Sequence, residues 1–447
     1  MRDIKNITSE KKGLRHRFVH RRIMTPQNSF KHLVEGRPAR RRLRLILPVL
    51  AILLAAYPLV SLLFSAKAAN SSVRKTPPQP AKPLSPLDPF QSFQLAADSL
   101  STARLNGEQV MAPLPDGGTI VYAIDQDLQD RVKRVMESYR LPYGAFVAIE
   151  PKTGRVLALV GHSSLDPGWE RHSCFGLYPM ASLFKIITAA AALEENKVSP
   201  DTMFAFRGKL TSVNPKYWYV KPGSRNQEMS LATALGKSVN PVFGRLASDV
   251  VGRTSIMSCV ERFGFNQSLL PGTCVPPSKA APPNSDAELK LMGAGLGREV
   301  KVSPFHAALM MAAIANNGVM MMPSLAQEIK NGKGETVFTL TPRTARQIVT
   351  PETAGKLARM LSTTVNSGTS RKAFHDRRGR PKLASINIAA KTGTIDGKDP
   401  AGHYSWFAAY APISDPQIAI VALIVNQDKW KIKASYLGEQ ALEAFFK

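Results

Sequence analysis

Hydrophobic and polar positions change their period several times along the 447 residues. Residues 45–64, LILPVLAILLAAYPLVSLLF, form one run of twenty uncharged, mostly apolar positions. As a helix this run would measure about 30 Å, the thickness of a bilayer core, so it predicts a transmembrane anchor. Residues 70–90 follow with six prolines and little to bury, the composition of an extended, semi-rigid spacer. Residues 91–117 are mixed and predict no particular element. TIVYAID at 119–125 reads as a strand ending on a helix cap, and Leu128, Val132, Val135 and Tyr139 then share one face of an amphipathic helix. Residues 144–160 read as two strands around a Pro-Lys-Thr-Gly turn. From Met180 to about Asn317 a helical period dominates, broken by loop-rich stretches at 206–228 and 271–286. Strand patterns return at 386–390, 404–411 and 418–426, before a terminal helix over 435–446. Strands at both ends with helices between them predict one sheet assembled from sequence-distant strands, plus a helical insertion.

Charge is spread unevenly over this pattern. The chain carries a net +26, and residues 1–44 hold 14 Lys/Arg against 3 Asp/Glu, a net of +11. That arm ends in RRRLR at 40–44, directly against the apolar run. Basic residues flanking a span stay in the cytoplasm, which puts everything after residue 64 outside. The arm therefore reads as a topology signal and anionic-lipid contact, and nucleic-acid binding is set aside. A cleavable signal peptide with Ala66-Lys67-Ala68 as its site is the other reading, but both the basic and the apolar regions are longer than such signals carry. The expected division is a basic cytoplasmic arm (1–44), a single-pass anchor (45–64), a proline-rich extracytoplasmic stalk (65–117) and a folded domain (118–447). Cys174, Cys259 and Cys274 fit no metal-site spacing; either Cys259 pairs with Cys274, or all three are buried thiols. The eight histidines do not cluster, so neither a metal nor a cofactor is expected.

Chemistry enters at YPMASLFKIITAAAALEEN, residues 178–196. Lys185 stands among Leu183, Phe184, Ile186 and Ile187, and burying an ammonium is costly unless something compensates it. A helix brings positions i and i+3 together, so Ser182 is its neighbour. Either Lys185 snorkels outward from a core helix, or it acts on Ser182. The spacing alone is weak, since Ser9/Lys12 and Ser72/Lys75 repeat it in the arm and the stalk. Ser-x-Asn occurs at Ser212/Asn214, Ser238/Asn240 and Ser385/Asn387, and Lys-Thr-Gly at 152–154 and 391–393. Lys152 follows Pro151 in a turn and reads as structural. Lys391-Thr392-Gly393-Thr394 ends an apolar strand, NIAAKTGT, and presents polar groups at its exposed end. Ser238 lies between two helical segments, where a short loop points into a cleft. Ser212 reads as surface loop, and Ser385 is too near Lys391 to add an independent wall.

Taken in order, Ser182/Lys185, Ser238/Asn240 and 391–394 resemble the penicillin-binding protein transpeptidase family. The resemblance spans roughly residues 118–447. TIVYAIDQDLQ and AFVAIEPKTGRVLAL look like the family's entry into its domain. GAGLGREVKVSPFHAALMMAAIANNGVMMMP is similar to its glycine-rich segment and following helix, and VNSGTSRKAF and SWFAAYAP to the stretches flanking its third motif. Ala181 and Ala390 stand where relatives have glycine, and both are small enough to be tolerated. The short interval between anchor and domain leaves no place for a glycosyltransferase or pedestal domain.

The resemblance implies an α/β fold of the α+β type: a central, mainly antiparallel sheet flanked by helices, an inserted all-helical subdomain, and the active site between them. One transmembrane helix precedes it. It also implies roles. Ser182 is the nucleophile and Lys185 its base, made neutral by desolvation and by the like charge of Lys391. Ser238 relays a proton, Asn240 holds the peptide amide, and Lys391, Thr392 and Thr394, with Gly393 between them, bind the terminal carboxylate. The oxyanion hole is formed by the N–H groups of Ser182 and Thr394. The implied activity is peptidoglycan D,D-transpeptidation, blocked covalently by penicillin. Its partners are stem peptides, β-lactams, the bacterial inner membrane and the cell-wall synthesis machinery, with no nucleic acid. The alternatives are a D,D-carboxypeptidase or serine β-lactamase-like hydrolase, and a non-catalytic penicillin-binding sensor or scaffold. No dedicated water-activating glutamate supports the β-lactamase, and a short arm with one span does not suit a sensor.

Overall fold

The computed structural model describes residues 86–447. The arm at 1–44, the anchor at 45–64 and the first part of the stalk lie outside the described residues, and no described helix is long and apolar enough to cross a membrane.

Helix α1 (Pro89–Ser99) opens the described chain behind a capping box: Asp88 accepts from the N–H groups of Phe90 and Gln91, and the Gln91 side chain accepts from the Asp88 N–H. Phe93 is fully buried, edge-on to Phe305. β1 (Arg104–Asn106), β2 (Gln109–Pro113) and β3 (Thr119–Tyr122) follow as neighbours in one sheet, and the Tyr122 hydroxyl donates to the Ala96 carbonyl at 2.8 Å. Residues 89–117 therefore belong to the folded body rather than to a stalk. Their period is unreadable in sequence because the helix and strands are short and their partners lie elsewhere in the chain.

Asp125 caps α2 (Gln126–Ser138) by accepting from the Leu128 N–H. Leu128, Val132 and Val135 are buried as the period implies, but the helix stops before Tyr139, and Met136 takes the fourth core position. β4 (Tyr143–Ile149) and β5 (Val156–His162) flank the expected turn, where exposed Lys152 pairs with Asp415 at 2.7 Å. A 3₁₀ turn (Ala181–Leu183) leads into α3 (Phe184–Glu194), in which every residue from Phe184 to Leu193 is buried.

The insertion continues through β6 (Met203–Arg207), β7 (Asn226–Ser230), α4 (Leu231–Gly236), α5 (Asn240–Arg245), α6 (Arg253–Arg262) and α7 (Asp286–Gly293). It is not all-helical, because β6 and β7 pair antiparallel across the loop-rich stretch. Phe206 and Trp218, both fully buried, pin that loop to the body. Cys259 is buried, Cys274 is exposed, and all three cysteines are free, so neither sequence reading of them holds.

α8 (Pro304–Ala315) is buried almost throughout, β8 (Ala326–Lys330) and β9 (Thr336–Thr339) complete the first sheet, and α9 (Pro351–Asn366) precedes the last strands. β10 (Ala389–Lys398), β11 (Ala401–Ala411) and β12 (Ile418–Asn426) lead to the terminal helix α10 (Ala434–Phe446). The central sheet runs β10-β11-β12-β4-β5 with every neighbouring pair antiparallel. Alternation along β4 sends Ala145, Val147 and Ile149 to the core shared with α3 and α8, and Phe146 and Ala148 to the one shared with α2 and α10. Covered on both faces, β12 is buried at all nine positions. The fold is thus mixed α/β, with antiparallel sheets flanked by helices.

β10 is the edge strand, and it differs from the expected one. It starts at Ala389 and runs to Lys398, because β11 pairs with it residue by residue out to Ala401. The Lys391–Thr394 motif therefore sits within the strand, not at its end.

Candidate active site

The turn that carries Ser182 is shaped by its neighbours. Ala181 takes a left-handed φ of 53°, a conformation that favours glycine. Gly295, at φ +68°, lies against the same turn, and a Cβ there would stand 2.3 Å from the Ala181 carbonyl oxygen. Across the turn a Cβ on Gly393 would meet the Ala181 methyl at 3.2 Å, so β10 and the turn that carries Ser182 touch. Gly295→Ala is expected to displace the turn and slow acylation by about tenfold or more, read with a fluorescent penicillin.

One helical turn on, Lys185 has no solvent exposure. Its Nζ lies 2.8 Å from Ser182 Oγ, 2.8 Å from Asn240 Oδ1 and 2.7 Å from the Ala294 carbonyl. The last two groups can only accept. As a neutral amine the lysine has two N–H donors and one lone pair. Asn240 and Ala294 take the two N–H groups, so the lone pair is left for the Ser182 hydroxyl proton. Asn240 is itself oriented, since its Nδ2 donates to the Ser212 carbonyl at 3.3 Å. The Asn240 amide, expected to face a peptide, is thus oriented by a protein group at each end, which leaves its second N–H for a ligand.

Beside this group the α4–α5 loop of the insertion faces β10 of the central sheet. Ser238, between the two helices, adopts φ 57°. Its Oγ accepts from Lys391 Nζ at 2.9 Å, and the same ammonium donates to the Thr392 carbonyl at 2.7 Å. Thr392 shares a 2.5 Å hydrogen bond with Thr369, which precedes the turn into the 371–374 helix. Thr394, two residues further along β10, is exposed.

Desolvation sets the charge state of both lysines. Burial holds Lys185 well below the ordinary lysine range, and the charge of Lys391 pushes the same way. Burial alone lowers Lys391 to about 7. An unfolded chain binds this proton up to the ordinary lysine range and the folded one does not, so stability rises with pH above about 7. The Cys174 and Cys259 thiols, pushed up to about 12 by burial, oppose this once unfolded thiols ionise. Between pH 7 and 8.5, roughly, melts of the parent chain are expected to shift upward. Lys185, held well below the ordinary range, contributes in the same direction, so Lys391→Met is expected to lessen that slope without abolishing it; an unchanged slope contradicts the assignment.

Of the residues singled out in the sequence, the side chains of Ser182, Lys185, Ser238, Asn240, Lys391 and Thr392 meet here. Sequence reasoning missed the carbonyls of Ser212 and Ala294, which carry no side-chain signal, and the hydroxyl of Thr369. Ser212, which the sequence places on a surface loop, reaches the site through its backbone carbonyl. Among the described residues, no group of His, Cys, Asp and Glu is arranged to hold a metal.

A family model for the penicillin-binding protein transpeptidase domain matches residues 144–446. The peptidoglycan D,D-transpeptidase PbpA of Mycolicibacterium smegmatis is 28% identical over 316 residues, 63% of this chain and 61% of that protein. The protein of the same name from Mycobacterium tuberculosis is 27% identical over 347 residues, 70% of this chain and 68% of the relative. The chain thus spans roughly two thirds of the length of these relatives. The crystal structure of PBPA from Mycobacterium tuberculosis superposes with a TM-score of 0.60 at 25% identity, over 75% of this chain and 82% of that one. The ceftriaxone acyl-enzyme complex of penicillin-binding protein A from the same organism gives a TM-score of 0.61 at 25% identity, over 74% and 80%. Starting in β4, ending in α10 and taking in both walls of the site, the family match covers more than half of the chain, which therefore belongs to the penicillin-binding protein transpeptidase domain family.

Proposed function

We propose that the chain is a peptidoglycan D,D-transpeptidase that acts through an acyl-enzyme on Ser182. One observation carries this reading: a buried, desolvated lysine held 2.8 Å from the serine hydroxyl by two groups that can only accept. The relatives named as D,D-transpeptidases and the acyl-enzyme complex support it.

The stem peptide lies, as an added strand, along the outer edge of β10, which has no strand partner on that side among the described residues. Ser182 Oγ attacks the carbonyl carbon of the penultimate D-alanine while its proton passes to Lys185 Nζ. The N–H groups of Ser182 and Thr394 hold the oxyanion. Lys391, Thr392 and Thr394 clamp the terminal carboxylate, with Gly393 keeping the strand close to the nucleophile turn. The C–N bond breaks, the departing amine takes its proton through Ser238, and the acyl group stays on Ser182. An acceptor amine then attacks the ester, loses a proton and regenerates the serine, which forms the cross-link. Asn240 serves first as the group that aims the Lys185 lone pair.

The finer organisation belongs to the same reading. Residues 1–44 are a cytoplasmic arm, 45–64 a single anchor in the bacterial inner membrane, and the described body stands on the outer side. The helical insertion and the central sheet form the two walls of the cleft. β-Lactams enter as mimics of the D-alanyl-D-alanine amide. Incubation with a pentapeptide stem and an acceptor amine tests the activity: amide-linked product is expected, and water-derived acid alone would mean a carboxypeptidase.

A further inference from the structure

Between Thr369 and β10 the chain turns outward and becomes strongly basic. Residues 371–382, RKAFHDRRGRPK, hold six Lys/Arg against one Asp. The stretch is a braced turn. Phe374, at the end of the short 371–374 helix, is buried and stacks on Phe407 of β11 with 5.5 Å between ring centroids. His375 bridges antiparallel to Pro381, and the Asp376 carboxylate accepts the N–H groups of Arg378 and Arg380 at 2.8 and 2.9 Å. Asp376 also pairs with the Arg380 guanidinium, and Lys382 lies 3.3 Å from the buried Glu439 carboxylate of α10. Two of the six cations thus hold the turn in place.

The other four, Arg371, Lys372, Arg377 and Arg378, are exposed and make no ion pair among the described residues. A Cβ on Gly379 would stand 3.3 Å from Arg371 Nη2, so the first of the four folds back over the turn that carries the last two. The turn's own acid is engaged with Arg380, which leaves these charges without a local counter-charge. Like charges closer than a Debye length, about 10 Å at 0.1 M salt, repel one another, and a multivalent anion relieves that repulsion.

Location selects the partner. Thr369, two residues before Arg371, bonds to Thr392 in the site and donates its N–H to the Gly236 carbonyl at 3.0 Å, two residues before Ser238. The basic turn therefore starts at the rim of the cleft. The substrate of the proposed reaction is a polymer whose uncross-linked stems each end in a carboxylate. Resting on the transpeptidase reading above, we infer that the turn is a docking surface for the carboxylates of neighbouring stems, on the same strand as the stem that reaches Ser182. Each contact is a weak surface pair, so a short peptide gains little from it. A strand held at several stems rebinds at a raised effective concentration, and only the polymer benefits.

The test uses the full-length chain in detergent micelles, with the cleft filled by penicillin so that retention is read apart from it. Sedimentation with purified peptidoglycan sacculi gives the affinity. The triple variant Lys372→Gln/Arg377→Gln/Arg378→Gln is expected to bind about tenfold more weakly than the parent, the loss of three surface pairs. Lys133→Gln/Arg134→Gln/Lys333→Gln removes the same charge from exposed positions elsewhere, and is expected to change binding by less than about twofold. Sacculi whose carboxylates have been converted to neutral amides are expected to hold the parent no better than native sacculi hold the first variant. An equal fall in both triple variants, no fall in either, or full retention of the parent on amidated sacculi overturns the docking surface. Penicillin labelling of Ser182 then leaves the transpeptidase reading standing. Failure of penicillin to label Ser182 overturns both.

Discussion

Lys185→Met is expected to leave a folded protein whose acylation by penicillin is slower by about 10³-fold or more, the loss that follows removal of a general base. Methionine nearly matches the lysine stem in length and is apolar, so α3 keeps its packing. The Asn240 and Ala294 oxygens each lose a donor, which costs about 1–3 kcal/mol apiece. Relief of a buried, desolvated amine offsets this, so the melting temperature is expected to move by about 5 °C or less. Lys185→Arg is expected to be equally slow, because a guanidinium keeps its proton at any accessible pH and has no lone pair to offer. Acylation rates beside thermal melts decide the matter. A fast Lys185→Arg variant would reduce Lys185 to a positive charge near the site and require another base.

Ser238→Ala is expected to slow acylation by about 10²-fold if, as proposed, the hydroxyl bonded to Lys391 relays the proton to the departing group. The left-handed backbone at Ser238 supplies a control. Ser238→Gly removes the same hydroxyl while easing the φ of 57°, so an equal fall in both variants assigns the effect to the oxygen. A large fall in the alanine variant with a near-parent glycine variant would assign it to backbone strain instead. Stopped-flow acylation with a chromogenic cephalosporin reads both.

How far the sequence carried these assignments depended on where the signal lay. Lys185 was legible because a charge inside an apolar helix is conspicuous whatever the tertiary structure. β12 and α10 were legible because long apolar runs of one period leave little choice. The Lys-Thr-Gly at 391 was separated from its copy at 152 by context, a strand rather than a turn, although the strand's extent depends on pairing with β11. What stayed hidden was carried by backbone or by distant partners. The Ala294 and Ser212 carbonyls have no residue-type signature, and each enters the site through packing 109 and 28 residues away from the residue it serves. α1, β1 and β2 escaped notice since short elements gain their stability from a sheet that β8 and β9 complete some 200 positions later. Ala181 could be noted only as a small residue in a glycine place; its positive φ shows what glycine would relieve there.

The most direct measurement is peptide mapping of the covalent penicillin adduct on the full-length chain. A single penicilloyl group on Ser182, absent from Ser182→Ala, is the expected result. Adduct on any other serine, or labelling that survives Ser182→Ala, would contradict the assignment of the nucleophile and the mechanism built on it.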